Sequence, residues 1–367
     1  MVLKSSYFFI ILGGIWLTLL SNIAEAGNRR WTHFGVRPLA MGNAYVSVAD
    51  DFNALFYNPA GLARIKEWDG ELLNPYISIG SNSIDLINEV LEIQGSSTAK
   101  ILDLFEDKTG RNLHGGFGLT PHLIFQNWGF GIGFHTGADI TGHSEVAFGT
   151  RLGAEIIAPF TYARNFLGDK LSVGATIKAR SFAGVDTELN IETIGELTDE
   201  ENNQDTDAEP IAAAGTGVGL DVGILFTPMK TMEPTIGISI TDLGGTTYTA
   251  QGGGAAPRDV LPSVNTGFSI TPVKSDFHFF RLAIEAHSIN QPLHYSHKLH
   301  LGAEWGVGSL LKIQAGMYDG LATGGLEFDV GILNMRLATY AVDHGTVVAI
   351  DDRLVDRRYV FQVKLLI

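Results

Sequence analysis

From about Glu71 to the C-terminus, apolar residues recur at every second position, and no other feature restricts so strongly what this chain can fold into. Period two marks strands whose two faces meet different surroundings. In Ala214 to Phe226 the even positions hold Ala214, Thr216, Val218, Leu220, Val222, Ile224 and Phe226, and the odd ones include Gly215, Gly217, Gly219, Asp221 and Gly223. The same division separates Leu171, Val173, Ala175 and Ile177 from Ser172, Gly174, Thr176, Lys178 and Arg180. It separates Leu282 and Ile284 from Arg281 and Glu285, Leu301 and Trp305 from His300 and Glu304, and Ile313 and Met317 from Lys312 and Gln314.

Two architectures use such strands: a soluble sandwich with a dry core, and a transmembrane barrel with an apolar exterior and a polar lumen. Loop lengths separate them. About fourteen candidate strands are joined alternately by short and mostly longer connections. The short ones include Gln126-Asn127, Asn165 to Asp169 and Pro272 to Asp276; the longer ones include Ser81 to Asn112, Gly137 to Glu145, Val185 to Pro210 and Gly244 to Pro262. That parity is the pattern of an outer-membrane barrel. The expected fold is all-β, a transmembrane antiparallel barrel of about 14 strands over residues 67–367, preceded by an N-terminal segment, 27–66, that lacks the alternation.

The first residues agree with export. An apolar run from Tyr7 to Leu20 follows Lys4 and leads to Ala24-Glu25-Ala26, the small-x-small pattern of a cleavable signal peptide, so 1–26 is expected to be removed. Cysteine is absent, which excludes disulfides and a lipid-modified N-terminal cysteine. A net charge of −15 disfavours nucleic acid as a partner, since phosphates require a basic surface. The closing stretch Tyr359 to Ile367 alternates to its end, as in strands read by the barrel-assembly machinery, although it ends in Ile367 where an aromatic residue is usual.

Facing Arg or Lys to lipid at mid-membrane costs about 2–4 kcal/mol. Arg151, Lys178, Arg180, Arg281, Lys312 and Arg336 are therefore expected inside, together with Glu155, Asp221, Glu285, Glu304, Glu327 and Asp329. With both signs present they read as a mutually paired brace or, alternatively, as a substrate path through Lys178, Arg180, Asp221, Arg281, Glu285 and Arg336. Two segments break the alternation. Ile84, Ile87 and Leu91, then Ile101, Leu102 and Phe105, recur at helical spacing and predict a short helical pair in the first outer loop, either a cap or, through Ile84, Ile87, Leu91 and Phe105, an apolar capture face. Asp186 to Glu209 is rich in acids and lacks Lys and Arg; it reads as a solvated outer loop, with a cation-bridged contact to outer-membrane lipids and lipopolysaccharide as the alternative.

Catalytic, cofactor and metal motifs give little. Gly215-x-Gly217-x-Gly219 has spacing two and no following helix, so it reads as a smooth lumen-facing stripe rather than a phosphate loop. His294, His297 and His300 look like a metal cluster, but His297 and His300 differ in parity and would diverge on one strand, so no metal site is expected, and no Ser/His/Asp set stands out. Neither an enzyme nor a cofactor protein is expected.

One stretch carries a specific resemblance. "GVRPLAMGNAYVSVADDFNALFYNPAGLARI", Gly35 to Ile65, resembles the N-terminal region of the FadL-like outer-membrane transport proteins, through Met41-Gly42-Asn43-Ala44, Ala49-Asp50-Asp51 and Asn58-Pro59-Ala60-Gly61-Leu62. Late stretches, Leu301 to Trp305 and Gly324 to Ala341, resemble the PorV-like branch of that family. The resemblance implies a 14-stranded barrel whose lumen is filled by an N-terminal hatch, with Gly42, Asp50, Asp51, Asn58, Pro59 and Ala60 as hatch residues. It further implies uptake of hydrophobic small molecules of the fatty-acid or hydrocarbon type. The PorV-like branch implies the alternative, a scaffold barrel with a secretion partner.

Overall fold

A computed structural model describes residues 35–85, 111–144, 147–190, 212–252, 254–275, 277–343 and 355–365. The segment before the barrel contains α1 (Val36–Ala40), α2 (Ala54–Tyr57) and a 3-10 helix, Pro59–Arg64. The strands are β1 (Asp69–Glu71), β2 (Tyr76–Gly80), β3 (Asn112–Leu119), β4 (His122–Phe125), β5 (Trp128–Gly131), β6 (Gly133–Ser144), β7 (Ala147–Phe166), β8 (Leu171–Asn190) and β9 (Ala212–Phe226). They continue as β10 (Thr235–Thr241), β11 (Thr249–Ala250), β12 (Ser263–Lys274), β13 (His278–Ala286), β14 (Leu299–Val307), β15 (Leu311–Tyr318), β16 (Leu321–Asp329), β17 (Leu333–Asp343) and β18 (Val355–Leu365).

Antiparallel pairing closes these into a 14-strand barrel. The ring is shut where β18 meets β2, with Arg358 opposite Gly80 and Gln362 opposite Tyr76. Short strands complete or extend the crossings. β3 and β4 are halves of one crossing broken at Thr120-Pro121, where proline brings no N–H to the ladder. Ile132, between β5 and β6, spans that break by donating to the Pro121 carbonyl at 2.9 Å. β1 pairs with β4 and β2 with β3, so the chain makes an irregular step between Glu71 and Tyr76. At 20 residues each, β7 and β8 exceed the roughly 9–11 that a bilayer requires.

Side-chain parity follows the alternation. Val218, Leu220, Ile224 and Phe226 of β9 are exposed on the outside, as are Leu282 and Ile284 of β13 and Leu301 and Trp305 of β14. Lys178, Arg180, Asp221, Glu285, Glu304 and Arg336 are buried on the other face. A belt of exposed Ile, Leu, Val and Phe around a closed sheet needs an apolar surrounding, and a bilayer supplies it. No helix among the described residues is long and apolar enough to cross a membrane.

Two loop expectations need correction. Gly137 to Glu145 is not a loop: β6 continues to Ser144 and pairs with β7 nearly throughout, because alternation there passes through small residues that give a weak hydropathy signal. The wall strand before the acidic segment likewise runs beyond Val185 to Asn190. A tight turn also occurs on the long-loop side, where Asp319 and Gly320 both have positive φ, 53° and 72°, the left-handed pair favoured in hairpins. The signal-peptide region, Ile87, Leu91, Phe105, most of the acidic segment and the terminal Ile367 lie outside the described residues; Ile84 lies in a helical turn.

Placing a guanidinium on the outer face should disturb the barrel. Leu282→Arg is expected to destabilise it by about 2–4 kcal/mol if the position lies near the bilayer midplane, measured by urea unfolding in lipid vesicles.

Candidate functional site

The segment Gly35 to Ala63 is almost wholly buried inside the barrel and supplies most of one hydrophobic cluster: Met41, Tyr45, Val48, Phe52, Leu55, Phe56, Tyr57 and Leu62. Wall residues Ile124, Ile157, Ala163 and Ala283 complete it. A second cluster joins Val36, Leu39 and Ala40 of α1 to Tyr76, Tyr318, Tyr340 and Val360 of the wall.

Polar contacts fix the segment in position. Arg37 of α1 presents its guanidinium to Glu304 of β14 as a two-point fork, Nε to Oε2 at 2.7 Å and Nη2 to Oε1 at 2.6 Å. Its remaining nitrogen, Nη1, donates to Tyr45 Oη at 2.6 Å, Asp50 Oδ1 at 2.8 Å and Asp51 Oδ2 at 3.1 Å. Arg281 of β13 holds the other Asp50 oxygen at 2.7 Å. Burial alone would raise the Asp50 carboxyl, but Arg37 and then Arg281 outweigh it and hold the group well below the usual carboxylate range. Burial also disfavours charge on Arg37, and the surrounding Asp50 and Glu304 carboxylates reverse that, raising it above its ordinary value. Asp51 Oδ1 meanwhile accepts from the Asn53 backbone N–H and side chain, both at 2.9 Å, closing the turn before α2.

Glu285 of β13 accepts from the backbone N–H groups of Val46 and Ser47 and from Ser47 Oγ, each at 2.8 Å. A carboxylate thus satisfies two buried donors that no strand or helix pairs. His300 donates to the Gly42 carbonyl at 2.8 Å, and Thr323 Oγ1 to the Ala40 carbonyl at 3.1 Å. Gly42 has φ +65°, and a Cβ there would come within 2.5 Å of Met317 N, so both conformation and space require glycine.

Asn58 begins the 3-10 helix. Its Oδ1 accepts from Ala60 N at 3.1 Å, while Nδ2 donates to the Val46 carbonyl at 2.8 Å and, at 3.3 and 3.4 Å, to the wall carbonyls of Ile224 and Ile238. Pro59 occupies the first helical position, where its missing N–H costs nothing. Wall glycines admit this backbone: a Cβ at Gly174 would lie 2.5 Å from Pro59 C, at Gly237 2.7 Å from Ser47 Cα, and at Gly325 2.5 Å from Ala40 Cβ. The Gly215, Gly217 and Gly219 row is not a smooth channel wall. Pro257, Thr247 and Asp242 lie within 2.6–2.8 Å of where its Cβ atoms would stand, so residues of the loop between β10 and β12 cover it.

Further lumen charges among the described residues form ion pairs. Lys178 contacts Asp221 at 2.7 Å and Asp242 at 3.0 Å, and Arg180 contacts Glu155 at 2.6 Å and Asp242 at 3.2 Å. Arg336 and Lys312 converge on Glu327 at 3.1 and 3.0 Å. Of the wall charges selected from the sequence, Arg281, Glu285 and Glu304 meet the N-terminal segment directly, whereas Lys178, Arg180, Asp221 and Arg336 pair within the wall and its loops. Sequence reasoning missed Arg37 and Tyr45, although both lie in the resembling stretch. The three histidines diverge: His297 faces Asp319 at 3.0 Å, His294 faces Ser296, and His300 faces Gly42.

No family model matches the chain, and no curated protein does. Solved structures do. The chain resembles CymD, a monoaromatic hydrocarbon channel, at 14% identity and TM-score 0.53, covering 92% of this chain and 98% of that one. It resembles the P. putida toluene transporter TodX at 15% identity and TM-score 0.50, covering 92% and 99%. The Ralstonia pickettii toluene transporter TbuX aligns at 12% identity and TM-score 0.50, covering 92% and 100%. The chain has the fold of the FadL-like channels. Those proteins are channels and transporters.

The barrel also contains an unforeseen relay. Ser78 Oγ lies 2.9 Å from His114 Nε2, and His114 Nδ1 lies 3.0 Å from Asp139 Oδ1. Arg358 pairs with the same carboxylate. Ser78 lies opposite Gly116 in the β2–β3 ladder and His114 opposite Asp139 in the β3–β6 ladder, while the His114 backbone N–H donates to Ser83 Oγ at 2.8 Å. The relay braces three neighbouring strands.

Arg37→Leu leaves Glu304 buried without its principal partner and is expected to cost about 3–5 kcal/mol. Hydrogen exchange should show lost protection over residues 35–65, partly recovered by adding Glu304→Leu. Asp50, with its lowered folded value, contributes its full stabilisation above the ordinary carboxylate pKa of about 4 and loses it progressively as pH falls from there through the lower folded value. Protection of 35–65 should therefore hold from pH 7 to about pH 4 and decline below it.

Proposed function

We propose that the protein is an outer-membrane channel for uptake of hydrophobic small molecules, gated by the N-terminal segment acting as a hatch. The observation that carries this reading is the filled lumen. Gly35 to Ala63 occupies the interior of a barrel with the fold of hydrocarbon channels, held there by ion pairs and hydrogen bonds that can be broken and remade. A passage for ions or sugars would keep unpaired polar groups along an open aqueous path. In this lumen the charges neutralise one another and the hatch core is aromatic and aliphatic, which suits an apolar or amphipathic passenger. The monoaromatic substrates named for CymD, TodX and TbuX set the size class for a first trial.

The corner at Asn58 is the proposed moving part. It is joined to the wall by neutral contacts at 3.3 and 3.4 Å, whereas α1 and the Val46-Ser47 turn are joined by charge-assisted bonds of 2.6–2.8 Å. Absence of native cysteine permits a direct test. A Cβ at Gly223 would stand 3.0 Å from Asn58 Cγ, the position that the sulfur of an Asn58→Cys variant would take, and that separation suits a disulfide. In vesicles with a lipopolysaccharide outer leaflet, after subtraction of entry into protein-free vesicles, the entry of labelled toluene due to the Asn58→Cys/Gly223→Cys protein should fall on oxidation and recover on reduction. Equal rates in both states would overturn the gate.

A further inference from the structure

At the barrel end that carries the short turns, Asp69 and Glu71 of β1 stand beside His122 of β4. Asp69 and Glu71 are two residues apart and share a face, and Glu71 lies directly opposite His122 in the ladder. One donor atom from each of the three lies within 4.8 Å of the other two. The imidazole is the telling member. His122 is 4% exposed, and its Nδ1 donates to the Thr120 carbonyl at 3.0 Å, which leaves Nε2 with a lone pair. That Nε2 has no hydrogen-bond partner and lies 3.5 Å from Asp69 Oδ2. A buried ring nitrogen aimed at two carboxylates, with its opposite nitrogen anchored to a backbone carbonyl, is the arrangement found in metal-binding histidines.

We propose that Asp69, Glu71 and His122 form a binding site for a divalent transition-metal ion, with zinc the best match. One imidazole and two carboxylates suit zinc, whereas calcium and magnesium favour oxygen ligands alone. Zinc–ligand distances of about 2.0–2.2 Å place neighbouring ligand atoms about 3.5 Å apart, so carboxylate rotation of about 1 Å completes the set. Asn74 Nδ2 already orients Glu71, donating to Oε2 at 2.9 Å. Asp69 is about one-third exposed, 34%, and gives an ion its entry. Lys364 of β18 pairs with Glu71 and is the built-in competitor for the site. Phe52 of the N-terminal segment stacks on His122 with centroids 4.4 Å apart, so an ion there would stiffen both the irregular β1–β4 seam and the base of that segment.

The test uses the full-length barrel without a histidine tag, stripped with EDTA in detergent and titrated calorimetrically with zinc chloride. One equivalent should bind. Affinity should fall at least tenfold in His122→Gln and in Asp69→Asn, the latter a partly exposed position that spares the core. It should rise in Lys364→Met, which removes the competing ammonium. Heat-modifiable gel mobility confirms that each variant is folded. Zinc binding that is absent in the parent protein, or unchanged in both ligand variants, would overturn the site. Transport is not read, so the outcome is separate from that of the gate.

Discussion

Glu304 carries a carboxylate at a position with no exposed surface, and the two-point fork from Arg37 makes that position tolerable. Either group alone would be an uncompensated charge in the interior of the barrel; together, with Asp50, Asp51, Tyr45 and Arg281 around them, they form a network in which every guanidinium nitrogen of Arg37 donates. The consequence reaches both parts of the chain. β13 and β14 are free to direct charge inward because the N-terminal segment brings the opposite charge to meet it. The segment, in turn, acquires a fixed orientation from side chains that belong to the wall. Glu285 extends the same logic to backbone, supplying an acceptor where the turn at Val46-Ser47 lacks one.

Charge sets position, and small residues set depth. Gly42 approaches the wall as closely as glycine allows, while Gly174, Gly237 and Gly325 let the wall accept segment backbone. Packing at such distances excludes water, which strengthens the ion pairs beside it. The abundance of glycine therefore has two physical sources in this chain: turns with positive φ, as at Gly320, and docking grooves for an inserted segment or loop.

Period two made the barrel legible because each wall residue meets either lipid or lumen, and a single strand carries that information by itself. The charged inward face was legible for the same reason. What escaped were relations between strands. Ser78, His114 and Asp139 come together only once β2, β3 and β6 are in register, and the same is true of Asp69, Glu71 and His122 across β1 and β4. Nothing in the spacing of these residues along the chain anticipates that register. The glycine row at Gly215 was visible as a stripe, but its cover comes from the loop beyond β10, whose placement no periodicity encodes. Arg37 lay in a recognisable stretch, yet its partner Glu304 is 267 positions away.

Magnitudes also restrict how the proposed gate works. Expelling the whole segment would break the Arg37–Glu304 pair, at about 3–5 kcal/mol, and leave Glu285 with His287 alone in place of the Val46 and Ser47 donors, at a further cost of about 1–3 kcal/mol. Loss of the aromatic and aliphatic cluster would add to that, taking the sum into the range of an entire domain's stability, about 5–15 kcal/mol. A small apolar molecule entering by dispersion and burial cannot offset so much, since each CH₂ it buries contributes about 0.8 kcal/mol. The Asn58 corner lies on a different scale. Its two wall bonds are long and neutral, each worth about 1 kcal/mol, and the passenger itself replaces the apolar packing that the corner gives up. Motion confined to that corner, with α1 and the Val46-Ser47 turn still attached to β14 and β13, is therefore the opening such a passenger can drive.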